Sequence, residues 1–277
     1  MKIIILGSSG FIGKALSNRL KSKGHAVLSY THKNIEITKQ FKLPSAEALF
    51  HLAANPKVYF SKEHPVEDFK ANALGTINVL EACRKSGIKK IIYASTILVY
   101  KQLYGISEDS ETGYNELSGP YGISKLIGEQ YVNYYARKFN IVKVCFRIAN
   151  PYGPKMKKNI IFDIVSGIVR DSKIKLFFTR GTKTDFIYID DVVSGMEMAL
   201  EDKFEGIYNL SGGKGYSTKK LVELSLEISS KRIPVQYGEE SIKICVNNAK
   251  LMNKGWKPET NIKDGLKKTI EYFEREK

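Results

Sequence analysis

Two periodicities alternate along the first half of the chain. Short runs rich in β-branched and other apolar residues, at positions 3–6, 26–30, 48–52, 91–94 and 142–148, read as strands buried on both faces. Between them the apolar positions fall at helical spacing. In 11–23, Ile12, Ala15, Leu16 and Leu20 share one face, and Gly24 stands where a glycine ends a helix. Further helices are predicted over 75–86 and about 120–137. Strands alternating with helices imply an α/β fold with a doubly wound parallel sheet and right-handed crossovers.

Past Asn150 the pattern loosens. Pro151-Tyr152-Gly153-Pro154 breaks the chain, and a helix (160–170), a strand (175–178) and a basic loop follow. Residues 186–189 read as a strand returning to the main sheet, with a helix over 192–200. Beyond about 203 come a short element at 208–210, a helix at 218–229 and a C-terminal helix from Ile262. The expected organisation is a dinucleotide-binding core of residues 1–150, joined by about 184–202. A smaller, discontinuous α/β lobe for substrate is expected from 151–183 and 203–277.

Composition narrows the classes. The 277 residues carry 44 Lys and Arg against 29 Asp and Glu, a formal charge of +15 that suits an anionic ligand. No apolar run approaches the ~20 residues that span a bilayer, so no membrane association is expected. The start of the chain lacks a signal-peptide pattern, and a cytoplasmic location is expected. Cys83, Cys145 and Cys245 form no pair and read as buried hydrophobes, and the four histidines show no metal spacing.

The first strand runs into Gly7-Ser8-Ser9-Gly10-Phe11-Ile12-Gly13 and then a helix. Such a loop needs one glycine for the tight turn, one where a pyrophosphate nears the backbone, and one where helix meets sheet. The helix N-terminus then offers free N–H groups to phosphate. The second strand ends in Tyr30-Thr31-His32-Lys33, without the acid that usually binds an adenosine ribose. His32 and Lys33 would instead favour a 2′-phosphate, so the cofactor is NAD or NADP with a tilt toward NADP. The link to the third strand is short, which places Asn34-Ile35-Glu36-Ile37 against the adenine, with Glu36 and Ile37 as contacts.

Tyr121-Gly122-Ile123-Ser124-Lys125 puts a phenol and an ammonium one helical turn apart on one face. A free tyrosine titrates near pH 10, and the lysine is expected to favour its phenolate, as would an oxidised nicotinamide. The result would be a proton acceptor for a sugar hydroxyl and a donor to a carbonyl. Ser95 and Thr96, just past the strand at 91–94, lie at the carboxyl edge of the sheet, where ligands bind in such folds.

These elements occur together with His51-Leu52-Ala53-Ala54, Asn72-x-x-Gly75-Thr76, Ala94-Ser95-Thr96, Arg147-x-x-Asn150-x-Tyr152-Gly153, the stretch 185–192 and Gly255-Trp256-Lys257-Pro258. In that order and over nearly the whole chain, the set resembles the extended short-chain dehydrogenase/reductases, the Rossmann-fold epimerases, reductases and dehydratases of nucleotide sugars. The resemblance implies Tyr121 as acid/base, Lys125 orienting the nicotinamide ribose and Thr96 binding the reacting oxygen. It implies pyrophosphate on Gly7, Gly10, Phe11, Ile12 and Gly13. It also implies a cofactor cleft lined by Leu52, Ala53, Ala54, Asn72, Ala94, Ser95 and Ile148, and Asn150 near the substrate diphosphate. Members commonly form homodimers through the helices at 75–86 and 120–137.

Two departures shape the expectation. Dehydratases of the family carry Asp-Glu after the catalytic threonine, where this chain has Ile97-Leu98, which cannot move protons. Many members have arginine where Thr184 stands, which leaves Arg180 or Lys183 to meet a diphosphate. The expected activity is therefore NAD(P)-dependent nucleotide-sugar 4-epimerisation through a 4-keto sugar. The alternative is NADPH-dependent reduction of a nucleotide 4-keto-6-deoxysugar. A non-catalytic dinucleotide or RNA binder is the lesser alternative, since the basic residues form no arginine-rich stripe.

Overall fold

The computed structural model describes residues 1–277. Six strands form the main sheet: β1 (Lys2–Leu6), β2 (Ala26–Tyr30), β3 (Ala48–His51), β4 (Lys90–Thr96), β5 (Val142–Ile148) and β6 (Gly206–Leu210). Their order is β6-β5-β4-β3-β1-β2, and the pairs β1/β2, β1/β3, β3/β4 and β4/β5 are parallel. The chain winds from β1 outward to β2, then returns to β3 on the other side of β1. That reversal opens a crevice outside the carboxyl ends of β1 and β3.

Three helices matter for the site: α1 (Phe11–Ser22), α2 (Gly75–Lys85) and α3 (Gly119–Phe139). Ile3, Ile4 and Ile5 of β1 and Ala48, Leu49 and Phe50 of β3 are all fully buried, which is why these strands read as unbroken apolar runs. Leu6, Leu49, Val79, Leu80, Ile91, Tyr93, Val132 and Cys145 pack in one cluster that joins sheet, α2 and α3. Gly24, at φ +81°, ends α1 as expected.

Contacts divide the chain into two units, and both are discontinuous in sequence. One comprises 1–102, 108–148 and 193–209; the other comprises 103–107, 149–192 and 210–277. In the second unit Asn150–Tyr152, Lys183–Tyr188 and Gly215–Ser217 make a three-stranded sheet. Helices Ile160–Arg170, Thr218–Ser229 and Ile262–Arg275 pack on one another in this unit. The buried Asp185 carboxylate ties its segments by accepting the N–H groups of Gly212 (3.0 Å) and Val246 (3.3 Å). Trp256 Nε1 donates to the Asp191 carbonyl at 3.2 Å, and the Asp191 carboxylate takes the N–H groups of Glu259 and Thr260. The stretch 185–192 and the Gly255–Pro258 motif are thus partners in packing.

Several expectations are corrected. The strand expected at 186–189 runs over Lys183–Tyr188 and pairs with Asn150–Tyr152 and Gly215–Ser217 rather than with the main sheet. Residues 208–210 are the end of β6 in the main sheet, and only Leu210 counts with the second unit. Asn209 is fully buried there, with its side chain bonded to the Tyr100 hydroxyl (2.6 Å) and its N–H to the Glu108 carboxylate (2.8 Å). A polar residue in a strand core, satisfied by distant partners, hid the element's place in the main sheet. The strand at 175–178 shrinks to Ile174–Lys175. Cys83 and Cys145 are buried, but Cys245 is half-buried.

Candidate active site

The loop after β1 is shaped by close approach. Gly7 sits at φ +89°, and a Cβ there would lie 2.6 Å from Ala53 N and 2.7 Å from the Leu52 carbonyl carbon. A Cβ on Gly13 would lie 2.2 Å from the Gly7 carbonyl oxygen. Gly10 donates its N–H to that same oxygen at 3.1 Å. No side chain caps α1 at Gly10, and its first turn carries no acid. This bare helix start behind a backbone-only cradle, with Phe11 and Ile12 as its first residues, fits a pyrophosphate.

Gly7 and Ser8 both donate N–H bonds to the Tyr30 carbonyl, at 2.9 and 3.0 Å. The end of β2 is therefore pinned to the loop, and His32 and Lys33 follow it as exposed side chains. Glu36 is exposed and pairs with Lys39 at 2.8 Å. Ile37 turns inward onto Gly75.

Beyond β3, Leu52, Ala53 and Ala54 are half-buried against the glycine loop. Asn72 differs from the expectation of a residue lining the cleft. It is 1% exposed and grips the next residue of the loop: its Oδ1 accepts the Asn55 N–H (2.8 Å) and its Nδ2 donates to the Asn55 carbonyl (3.2 Å). It lies in a one-turn π-helix, Lys70–Leu74, a local widening often found at functional sites.

Ser95 and Thr96 are the last residues of β4 rather than residues past it, and Thr96 pairs with Ile148 on β5. They face different partners. The Ser95 hydroxyl bonds to the Glu129 carboxylate, whereas the Thr96 hydroxyl accepts the Leu98 N–H at 3.2 Å and lies near enough to the Tyr121 phenol to favour its ionised form. Ala94, between strand core and edge, is half-buried.

Burial pushes the Tyr121 phenol up to about 12; the Thr96 hydroxyl works the other way, and the Asp68 charge adds to the rise. The expected acidification by Lys125 is thus not what the protein's own groups produce. Lys125 is itself 2% exposed, and burial pulls its ammonium down to about 7, against the opposing pull of Glu129. Its Nζ rests 4.1 Å over the Tyr93 ring. Beside that ring lies His51, also buried, with Nε2 on Thr76 Oγ1 at 3.1 Å and burial holding it near 3, hence neutral.

Three polar residues were not singled out from sequence. Ser124, inside the Tyr121–Lys125 segment, donates to Asp68 at 2.5 Å; Asp68 stands four residues before Asn72 and accepts its Nδ2 at 2.9 Å. Glu129 lies one turn past Lys125 and forms a buried pair with Arg147 at 2.8 Å. The signal for Glu129 was present, since positions 121, 125 and 129 lie at successive i, i+4 steps. The signal for Asp68 was not, because its partners are distant in sequence.

In the second unit, Asn150 Nδ2 donates to the Asp185 carbonyl at 3.0 Å, so it braces two strands. Lys183 is exposed, Thr184 is buried, and the Arg180 guanidinium stacks 4.9 Å from the Tyr237 ring centroid.

The profile of the NAD dependent epimerase/dehydratase family matches residues 3–211, well over half of the 277. The chain belongs to that family. It is 29% identical to a putative UDP-glucose 4-epimerase of Methanocaldococcus jannaschii, over 98% of each chain. It is 25% identical to a dTDP-4-dehydro-6-deoxyglucose reductase of Escherichia coli, over 97% of this chain and 96% of that one. Among solved structures, a Thermus thermophilus UDP-glucose 4-epimerase in complex with NAD superposes with a TM-score of 0.87, at 26% identity over 99% of each chain.

Proposed function

We propose that this protein is a nicotinamide-dependent nucleotide-sugar 4-epimerase. The observation that carries the reading is the Thr96–Tyr121 hydroxyl pair at the carboxyl edge of the sheet. Tyr121 shares helix α3 with Lys125, Thr96 ends β4, and all three belong to the same unit as a loop that only glycine can form. The relatives named for UDP-glucose epimerisation support it.

Gly7, Gly10, Phe11, Ile12 and Gly13 would hold the pyrophosphate. Leu52, Ala53, Ala54, Ala94 and Ile148 would border the rest of the dinucleotide, with Lys125 on the nicotinamide ribose. Bound there, the dinucleotide supplies the acceptor and donor of hydride and, when oxidised, a positive charge. Thr96 would hold the sugar's O4 through its hydroxyl, while Tyr121 Oη takes the O4 proton and later returns it. A phenol raised by burial is protonated at neutral pH and so holds the proton that a 4-keto oxygen needs. For the opposite transfer, the Thr96 hydroxyl favours the phenolate. Ile97, buried, and Leu98 give no carboxylate for dehydration. Asn150, Arg180 and Lys183 are the candidates for the diphosphate.

One feature favours reduction of a 4-keto sugar instead: β2 leads into Thr31-His32-Lys33, with no acid for a ribose. A single preparation separates the two. An epimerase is expected to leave the expression host carrying NAD(H), and to interconvert UDP-glucose and UDP-galactose without net use of cofactor. Protein that arrives empty and consumes NADPH stoichiometrically with a 4-keto-6-deoxysugar nucleotide would establish the reductase. A separate expectation concerns the exposed His32 and Lys33, which would meet a 2′-phosphate: NADP is expected to bind at least as tightly as NAD. Calorimetric titration of both decides it, and a tenfold preference for NAD refutes it.

A further inference from the structure

A fully buried carboxylate, Asp68, is unused by the chemistry above. It lies in the short helix Pro65–Phe69, just before the π-turn that carries Asn72. One oxygen accepts Asn72 Nδ2 at 2.9 Å, and the other accepts the Ser124 hydroxyl at 2.5 Å. Ser124 also lies 3.2 Å from Asn72 Nδ2 and 3.0 Å from the Tyr121 carbonyl. Asn72 in turn holds both backbone groups of Asn55. Asn55 continues the loop whose Leu52 and Ala53 press on Gly7.

The links among Asp68, Asn72 and Ser124 are buried, and those to Asn55 and the Tyr121 carbonyl are half-buried. Removing the centre of such a network leaves several buried polar groups unpaired at once. The chain of contacts runs from the pyrophosphate loop, through Asn55 and Asn72, to the turn of α3 that bears Tyr121. Asp68 is the only carboxylate in it.

We propose that Asp68 is a positioning residue that holds the dinucleotide loop and the Tyr121 turn in one register through hydrogen bonds rather than through its charge. The proposal rests on the reading of Tyr121 as acid/base. An asparagine can replace the carboxylate in this role. Its Oδ1 would accept from Asn72, and its Nδ2 would donate to Ser124 Oγ, whose own proton already has the Tyr121 carbonyl as an acceptor.

The test compares Asp68→Ala, Asp68→Asn and Ser124→Ala. Three readouts are taken: amide exchange of the segment containing Asn55, calorimetric affinity for NAD and NADP, and kcat against KM. Asp68→Ala is expected to lose protection at Asn55, to bind dinucleotide about tenfold more weakly and to lose kcat with little change in sugar KM. Asp68→Asn should restore all three to within about threefold of the parent. Ser124→Ala, which keeps the Asn72–Asn55 grip, should lose kcat while holding dinucleotide affinity; it carries the test if Asp68→Ala does not fold.

The proposal is overturned if Asp68→Asn falls as far as Asp68→Ala, since charge would then be the cause. It is also overturned if neither Asp68→Ala nor Ser124→Ala moves exchange, affinity or kcat. Should the parent protein bind dinucleotide but turn over no nucleotide sugar, the proposed function fails. The exchange and affinity readouts would still decide the role of Asp68.

Discussion

Replacing Tyr121 by phenylalanine is expected to reduce turnover by about 100- to 10,000-fold, the usual loss when a general acid/base is removed. The substitution deletes one oxygen and keeps the ring, so the packing of α3 is preserved. The Tyr121 N–H still reaches Ser61 Oγ at 3.1 Å, and Ser124 and Lys125 keep their places. Dinucleotide affinity should stay within about twofold, because the groups that act on the phenol are Thr96 and Asp68 and not the glycine loop. The defect should therefore fall on kcat. Steady-state kinetics with calorimetry on the same preparation read both quantities. Turnover equal to the parent's would remove Tyr121 from the chemistry, and a collapse of dinucleotide affinity would make it a structural residue.

The first half of the fold was legible because its signals are local. A strand such as β1, with Ile3, Ile4 and Ile5 all fully buried, can only read as an apolar run, and Gly24 marks its helix end by the sign of its φ. The second half was less legible because its strands depend on partners far away. Lys183–Tyr188 looks from its sequence like any return to the main sheet. It is held elsewhere by Asp185, which needs Gly212 and Val246 to be intelligible. The site divides in the same way. The glycine loop and the Tyr121–Lys125 pair are written within seven and five consecutive residues. The Asp68–Ser124 contact spans 56 positions, and nothing near Asp68 announces it. Electrostatics were the least legible part. Spacing put an ammonium one turn from the phenol, but only the depth of burial decides that the ammonium is itself held near 7 and the phenol near 12.

The largest effect on stability is expected from Arg147→Met, at about 3–5 kcal/mol. Arg147 and Glu129 have side chains 4% and 2% exposed, and they meet through Nη2 at 2.8 Å and Nε at 3.1 Å. The guanidinium also donates to the Glu108 carbonyl at 3.3 Å and stacks 4.5 Å from the Tyr100 ring. Methionine fills much of the volume but leaves the Glu129 carboxylate with the Ser95 hydroxyl as its hydrogen-bond partner and a half-discharged Lys125 nearby, in a place water does not reach. For a chain of this size the melting temperature should fall on the order of 10 °C. The double variant Arg147→Met/Glu129→Leu should recover most of that loss, since replacing a whole buried pair by apolar residues is often neutral. Urea denaturation of the parent, both singles and the double gives the coupling directly. A single-variant cost below about 1 kcal/mol would mean that the pair does not sustain the fold. Recovery by the double variant carries a further consequence, because Glu129 is the leading opponent of the burial that discharges Lys125. The double variant should then be nearly as stable as the parent yet hold Lys125 neutral over more of the pH range. Stability and activity would part company at one buried carboxylate.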